Sequence, residues 1–552
     1  MKKIVLAAVN ARFSHTNISI RYLRNFICDL DYDVILAEFT INQPPSEIAA
    51  AIINERPHAV ALSVYIWNAL IVAKVLPLIR EALPECVLVL GGPEVSYSHD
   101  RWLGAHPEID HIVRGPGEAG FRKLAGNGMR AETPVIEVPN PHFDVIPFPY
   151  TAADFPGLAN RTVYYESSRG CPFRCSYCLS SRADQALEFR DAARVRDEIA
   201  FIMQRGPGYV KFVDRTFNAD RARARALWAH IIERYGASKT FFHFEVDPGL
   251  LVEEDFSVLE GSPAGLFQLE LGIQSTNRDV LREVNRPGNF ETARGKIERL
   301  VRMKNIHVHV DQIAGLPGED EISLRSSFDR IYALGAGHFQ PGILKILHGT
   351  GMKEIADAEG YGYSPQPPYQ VRSTPLIPAR AMEEFESVAY LVERLYNGGA
   401  FPIVLEKLTA VFGGPYDFYR DMAGFYRGLG GPPLDRSRES CAGFLARYAQ
   451  SKTDADIPYL LDCIRWDWCR GSGNRHYPAA LRSASTLGGA KKFMGMVHSF
   501  MREGGPASPP LTEEEVKRAI VFFPESEKFR AEFLSGRVFA VFVPGRKGPV
   551  LW

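Results

Sequence analysis

The stretch Thr162-Val-Tyr-Tyr-Glu166-Ser-Ser-Arg-Gly-Cys171-Pro-Phe-Arg-Cys175-Ser-Tyr-Cys178 runs from a strand-forming segment into a loop whose three cysteines are spaced C-x3-C-x2-C. Three thiolates on one short loop hold three irons of a cubane cluster. The fourth iron stays open to bind and transform a substrate. Zinc is the first competitor, but a closed structural zinc site takes four protein ligands. No further Cys and no His occurs between Glu166 and Arg190, so the ligand count favours a cluster.

Outward from this loop the chain alternates apolar runs with helical patterns. Strands are expected at 162–166, 209–213, 240–246, 266–271, 307–313 and 338–347, with helices between them. That rhythm predicts a partial (β/α)6 barrel, and the cysteine loop follows its first strand, at the catalytic end of such barrels. Upstream, strands are expected at 3–9, 34–38, 59–65, 87–90 and 112–113, with helices from about 18, 46 and 69. This is the pattern of a doubly wound, Rossmann-like parallel α/β sheet, whose ligands sit beyond the carboxyl ends of the strands. The unusual residues fall there: Asn10, Arg12, Ser14 and His15 after the first strand, Ser63, Tyr65, Trp67 and Asn68 at the third, Gly91, Gly92, Pro93 and Glu94 after the fourth, and Gly115, Gly117 and Glu118 after the fifth. A Pro-rich stretch over 138–150 reads as an extended spacer. Beyond about 365 the sequence becomes mostly helical and rich in aromatics, with a strand expected at 538–543. The expected domains are 1–135, 136–365 and 366–552.

Lys plus Arg total 64 against 65 Asp plus Glu in 552 residues, so no global basic field recruits nucleic acid. Outside the loop, Cys28, Cys86, Cys441, Cys463 and Cys469 are scattered without a disulfide rhythm, which suits a reducing cytoplasm. The apolar run at the N-terminus has no small-residue cleavage site and reads as a buried strand, and the run over 59–79 is broken by Ser63, Asn68 and Lys74, so no membrane span is expected. Cys463 and Cys469 raise the thought of a second cluster, but their spacing fits a helical core segment better.

A C-x3-C-x2-C loop after the first strand of a βα barrel resembles the radical S-adenosylmethionine superfamily. That resemblance implies a [4Fe-4S] cluster on Cys171, Cys175 and Cys178, whose open iron binds the amino and carboxylate groups of S-adenosylmethionine and whose electron cleaves it to methionine and a 5′-deoxyadenosyl radical. It also implies cofactor contacts: Tyr177 beside adenine; Asp214, Arg215 and Asn218 after the second strand and Glu245 at the third, towards the methionine part; Gln274, Ser275, Arg286 and Asp311 in the ribose- and carboxylate-binding set; and Gly315 in the strand-five motif that packs on adenine. Each has a structural alternative, such as Asp214 capping a helix, Gln274 satisfying buried backbone or Arg286 as a surface charge.

The N-terminal sheet, with its glycine turns, is similar to the cobalamin-binding domain fused to many such enzymes, glycines letting a bulky ligand approach the backbone. Where histidine-ligating cobalamin proteins carry D-x-H-x-x-G, this chain has Asn10-Ala-Arg12-Phe-Ser14-His15. The aligned histidine position is Arg12, so Arg12, Ser63, Tyr65 and Trp67 are candidates for the lower face of the cobalt, with His15 a rival ligand. The full length is similar to a subgroup whose C-terminal domain has no assigned role. The resemblance implies an iron-sulfur, cobalamin-dependent methyltransferase acting on an unactivated carbon or phosphinate-like centre of a small, natural-product-like molecule, with flavodoxin or ferredoxin as reductant. Cyclisation, oxidation or rearrangement with the same cofactors is one alternative, and a redox- or cobalamin-responsive binding protein another. Lys345, His348 and Tyr369 are candidate substrate contacts.

Overall fold

The computed structural model describes residues 2–182, 186–431, 433–452, 456–471, 476–483, 495, 512–546 and 548–551. The first sheet contains β1 (Lys2–Asn10), β2 (Tyr32–Thr40), β3 (Ala59–Ser63), β4 (Val87–Gly91), β5 (His111–Arg114) and β6 (Val135–Glu137), in the order β2-β1-β3-β4-β5-β6. Every neighbouring pair is parallel. Near-continuous Val, Ile, Leu and Ala in β1, β3 and β4 suits strands covered on both faces. Helices α1 (Ile18–Phe26), α2 (Pro45–Asn54) and α3 (Ala69–Ala82) connect them, and the apolar run over 59–79 is a strand followed by a helix, as its composition predicts. β6 has no signal in the sequence beyond a three-residue run and is an addition to the expected strands.

The second sheet is built from β7 (Thr162–Tyr165), β10 (Tyr209–Phe212), β11 (Phe241–Glu245), β12 (Phe267–Gln274), β13 (Ile306–Ala314) and β14 (His338–Ile343), in the order β14-β13-β12-β11-β10-β7. A short hairpin, β8 (Ser168–Arg169) with β9 (Glu188–Phe189), frames the cysteine loop. The expected strands all form, with ends moved by a few residues. Phe212, Phe217, Trp228, Phe244 and Phe267 pack behind the sheet with ring centroids 4.4–6.3 Å apart.

The Pro-rich stretch departs from the expected extended spacer. Phe143 and Ile146 are buried beside Tyr22, and Phe143 N donates to Glu188 Oε2 at 2.6 Å. Its apolar residues, alternating with the prolines, make it a packed strap.

By its contacts the chain forms two compact units: residues 1–327, 334–336 and 342–382, holding the first sheet and most of the second, and residues 328–333, 337–341 and 383–552. The second unit is mostly helical, as expected, and adds an antiparallel three-stranded sheet of Ile520–Phe522, Ala540–Phe542 and Val550–Leu551. Trp466 packs against Phe522, Phe529, Phe533 and Phe542 at its centre. The expected strand at 538–543 is the middle one; its short partners carry too little alternation to be seen in sequence. Among the described residues no helix is long and apolar enough to cross a membrane.

Candidate functional site

Cys171 and Cys175 are buried and Cys178 is half-buried, on the loop that leaves β8. Gly170 turns the chain with φ +88°, and a Cβ there would lie 2.4 Å from the Ala186 carbonyl oxygen, so only glycine fits. Asp214 anchors the loop from behind. Its carboxylate accepts from Ser167 N at 2.9 Å, Ser167 Oγ at 2.6 Å and Ser168 Oγ at 2.6 Å, and it is wholly buried. Burial pushes its pKa up, against the pull of these bonds. Asn218 is likewise committed, clamping the backbone of Asp247 through two bonds of 2.9 Å, and Ser275 bonds Glu319 and Ser327. These three expected cofactor contacts therefore have protein partners and hold the loops that carry their neighbours.

The other expected residues converge on the carboxyl ends of β11, β12 and β13. Arg286 Nη1 lies 3.8 Å from Cys175 Sγ and 3.4 Å from Tyr177 OH, and its Nη2 donates to the Gly272 carbonyl. Burial lowers the pKa of Arg286, but Tyr177, Cys175 and Asp247 outweigh it and hold the guanidinium charged. Gln274 takes a left-handed φ of +70°, and its buried Oε1 has no hydrogen-bond partner among the described residues. A Cβ on Gly272 would meet Gln274 Nε2 at 2.4 Å, so the Gln274 side chain would have to shift. Glu245 faces Arg215 at 3.6 Å and Lys211 at 3.9 Å without a hydrogen bond, and Asp311 pairs with His309 at 3.0 Å. Gly315 has φ +88° beside Val371 and Thr374.

At the edge of the first sheet, Asn68 locks the loop after β3 by donating to the carbonyls of Val9 and Ser63, each at 3.0 Å, and accepting from Tyr65 N at 2.8 Å. Ser63 Oγ accepts from Asn17, and Asn10 donates to the His15 carbonyl at 3.2 Å. Trp67 stacks on Tyr65 at 4.3 Å yet stays 45% exposed, and Phe13 at 72% and Leu70 at 47% are exposed as well. Arg12 and Ser14 are exposed, whereas His15 Nδ1 pairs with Tyr164 OH of β7 at 2.8 Å. Burial, and then the charges of Arg12, Lys211 and Arg161, lower the pKa of His15. Gly92, with φ +102°, lies against the Val64 backbone; Gly91 and Pro93 flank it, and Gly115 donates to Ser96 Oγ at 3.1 Å. Gly117 opens the helix Gly117–Gly126.

Glu94 and Glu118 are turned inward. Glu94 accepts from Tyr369 OH. Tyr369 also meets the His348 ring edge-on at 4.9 Å, and Arg101 Nη1 lies 3.5 Å from His348 Nε2. Tyr369 and His348 thus pack on the first domain. Glu118 accepts from Asn140 at 2.6 Å and from Arg169 at 2.9 Å, and Arg169 also binds Glu166 through two bonds of 3.1 and 2.9 Å. Arg169, two residues before Cys171, thereby ties the cysteine loop to the glycine edge of the first sheet. Sequence reading missed Arg169 as a junction because its partners lie 51 and 3 residues away; the adjacent Gly170-Cys171 was the available signal. In the second unit Cys469 Sγ lies 3.0 Å from Tyr477 OH and Cys441 meets backbone carbonyls of Arg394 and Asp435, so these cysteines pack as core residues.

Residues 4–125 match the B12 binding domain, 165–331 the Radical SAM superfamily, and 358–506 a protein family of unknown function, DUF4080. An uncharacterized methyltransferase of Pyrococcus horikoshii, PH0819, is 30% identical over 350 residues, covering 57% of this chain and 72% of that protein. The chain belongs to the cobalamin-binding radical S-adenosylmethionine family. Its cofactors are accordingly a [4Fe-4S] cluster, S-adenosylmethionine and cobalamin. The cobalamin-dependent radical SAM methyltransferase TokK of Streptomyces tokunonensis is 26% identical over 377 residues, 62% of this chain and 55% of TokK, so the chain spans about half the length of that relative. The solved structure of the methyltransferase TsrM from Kitasatospora setae, with cobalamin and [4Fe-4S] cluster bound, superposes with a TM-score of 0.55 at 16% identity, over 85% of this chain and 99% of that one, and shows the shared fold.

The residues fit these groups. The unmet acceptor Gln274 Oε1 and the loosely paired carboxylate of Glu245 suit a ligand rich in hydroxyl and ammonium donors, as S-adenosylmethionine is. The exposed Trp67, Phe13 and Leu70 suit a broad, partly apolar ligand such as cobalamin.

Proposed function

We propose that this protein is a methyltransferase that methylates an unactivated carbon or phosphinate-like centre of a small molecule, drawing its electrons from a flavodoxin- or ferredoxin-like protein in the cytoplasm. The observation that carries the reading is the junction at Arg169, which binds the cysteine loop to Glu118 at the glycine-rich edge of the first sheet within one compact unit. The relatives TokK and PH0819 are both named methyltransferases, which supports transfer of a methyl group over other radical chemistry. The working domains in this reading are 1–135, 136–365 and 366–552.

Cys171, Cys175 and Cys178 would hold the cluster, and Glu245, Gln274, Arg286 and Asp311 the S-adenosylmethionine. Gly92, Gly115, Tyr65 and Trp67 would border cobalamin, with Arg12 beside them. When bound, the cluster with S-adenosylmethionine supplies one-electron bond cleavage, and cobalamin supplies methyl transfer. The chain itself positions and shields. Asp214 and Arg169 fix the loop from two sides, Arg286 sets a permanent positive charge beside Cys175 and Tyr177, and the buried wall of Phe212, Phe217 and Phe244 keeps water from the back of the site. His15 pairs with Tyr164 through Nδ1 and keeps Nε2 available, so Arg12 and His15 are both candidates for the group that would face the cobalt.

The test is incubation of the reconstituted holoenzyme with reductant, metabolite extract and S-adenosylmethionine carrying a deuterated methyl group. Label in a product supports the reading. Deoxyadenosine formed with no labelled product overturns it in favour of cyclisation, oxidation or rearrangement.

A further inference from the structure

The barrel lumen holds a second set of polar side chains, beside and below the residues expected to meet S-adenosylmethionine. β10 and β11 pair Lys211 with His243, β11 and β12 pair Glu245 with Glu270, and β12 and β13 pair Glu270 with His309, so alternate residues of adjacent strands share one interior face. Their contacts are short. Tyr209 OH lies 2.6 Å from His243 Nδ1, His243 Nε2 lies 2.6 Å from Glu270 Oε2, and Lys211 Nζ donates to the same oxygen at 3.1 Å. Tyr209 stacks on Phe241 at 5.6 Å.

This arrangement is costly as pure structure. Each buried ion forfeits hydration, and well-packed apolar residues usually stabilise an interior at least as well. The set is also graded. His243 is 4% exposed, while the side chains of Lys211 and Glu270 are 22% and 19% exposed, so both charged side chains keep some contact with solvent. Lys211 has three donors and one hydrogen bond, and Glu270 receives both of its bonds on Oε2. Burial lowers the pKa of His243, which leaves a neutral imidazole that accepts a hydrogen bond from Tyr209 OH on Nδ1 and donates one from Nε2 to Glu270. Burial pushes Glu270 up, but His243, Lys211 and His309 pull it further down and hold it ionised. An apolar guest would strip the remaining water from Lys211 and Glu270 and return no bond. A guest with one carboxylate and one ammonium would satisfy both.

We propose that the lower lumen, built around Lys211 and Glu270 and braced by His243 and Tyr209, seats an aminocarboxylate group, so that the substrate is a small molecule of the amino-acid type. The Lys211 ammonium takes its carboxylate and Glu270 its ammonium. The proposal rests on the barrel being the catalytic domain, but its test is of binding and needs no turnover, so a failed methyl-transfer assay and a failed binding assay are separate results.

The probes are the twenty common L-amino acids, each presented to the reconstituted holoenzyme with S-adenosylmethionine bound and scored by ligand-observed NMR, followed by the amine and the carboxylic acid that correspond to each binder. At least one amino acid is expected to bind saturably, and both one-charge analogues to bind at least tenfold more weakly. Lys211→Met should weaken the amino acid at least tenfold and S-adenosylmethionine less than tenfold, because Lys211 reaches Glu245 only at 3.9 Å. Because a lone substitution strands a buried charge, the paired variant Lys211→Met with Glu270→Met is the second arm, and it should fold and still lose the amino acid. No amino acid binding, an analogue binding equally well, retained binding in the paired variant, or a tenfold loss of S-adenosylmethionine affinity would each overturn the proposal.

Discussion

Replacing Arg169 with methionine keeps much of the side-chain volume and removes the charge that joins three elements. Its guanidinium binds Glu118 at 2.9 Å and Glu166 at 3.1 and 2.9 Å, and stacks on Phe143 at 4.6 Å and Tyr22 at 5.6 Å. Arg169→Met leaves two carboxylates unpaired whose side chains are only 6% and 15% exposed. Breaking a buried pair from one side costs about 3–5 kcal/mol, so urea denaturation followed by tryptophan fluorescence should report a loss in that range. The double-mutant cycle isolates the cause: Glu118→Gln should cost at least about 1 kcal/mol less in the Arg169→Met background than in the wild type. Burial raises the pKa of Glu118, but Arg169 and Asn140 outweigh it and bring it below the ordinary 4.5. A carboxylate with a depressed folded pKa contributes stability above its unfolded value and loses it as pH falls through the folded one. The gap between wild type and Glu118→Gln should therefore hold at neutral pH and close below pH 4.5. A loss under about 1 kcal/mol for Arg169→Met, or additive single effects, would refute the junction.

Asp214→Asn keeps one acceptor where three bonds converge and should destabilise the loop by about 1–3 kcal/mol, read as lower iron incorporation at equal protein yield. Gly92→Ala forces a Cβ to 2.6 Å from the Val64 carbonyl at φ +102° and should cost more than about 1–3 kcal/mol, checked by thermal unfolding. Trp67→Ala removes a half-exposed ring that stacks on Tyr65, so unfolding should move by about 0.5–1.5 kcal/mol while cobalamin affinity, followed by absorbance, falls. Burial pushes Glu319 up to about 8, so the folded state binds the extra proton, stability declines as pH rises from 4.5 to about 8, and Glu319→Gln should flatten that decline in denaturation curves taken across the range.

The two parallel sheets were legible because buried parallel strands read as apolar runs punctuated by turns, and the runs at 3–9, 209–213 and 307–313 fall within a few residues of β1, β10 and β13. The cysteine loop was legible from spacing alone. What escaped depends on contacts across the chain. The Pro-rich strap is packed because Phe143 and Ile146 meet Tyr22, more than a hundred residues upstream, which local composition does not record. Asp214, Asn218 and Glu118 carry residue types suited to ligands, yet their partners are Ser167, Asp247 and Arg169. The lumen set of Lys211, His243 and Glu270 was missed for the same reason: alternation marks an inward face, but only the register of three strands brings those groups to one oxygen.

The proposed chemistry requires a three-cysteine cluster whose open iron takes S-adenosylmethionine. Electron paramagnetic resonance of the reconstituted, dithionite-reduced protein, recorded before and after adding S-adenosylmethionine, tests it most directly. A reduced [4Fe-4S] signal that changes shape on addition, and that is lost when Cys178 is replaced by alanine, is the expected result. A signal indifferent to S-adenosylmethionine, or one that survives in Cys178→Ala, would contradict the account.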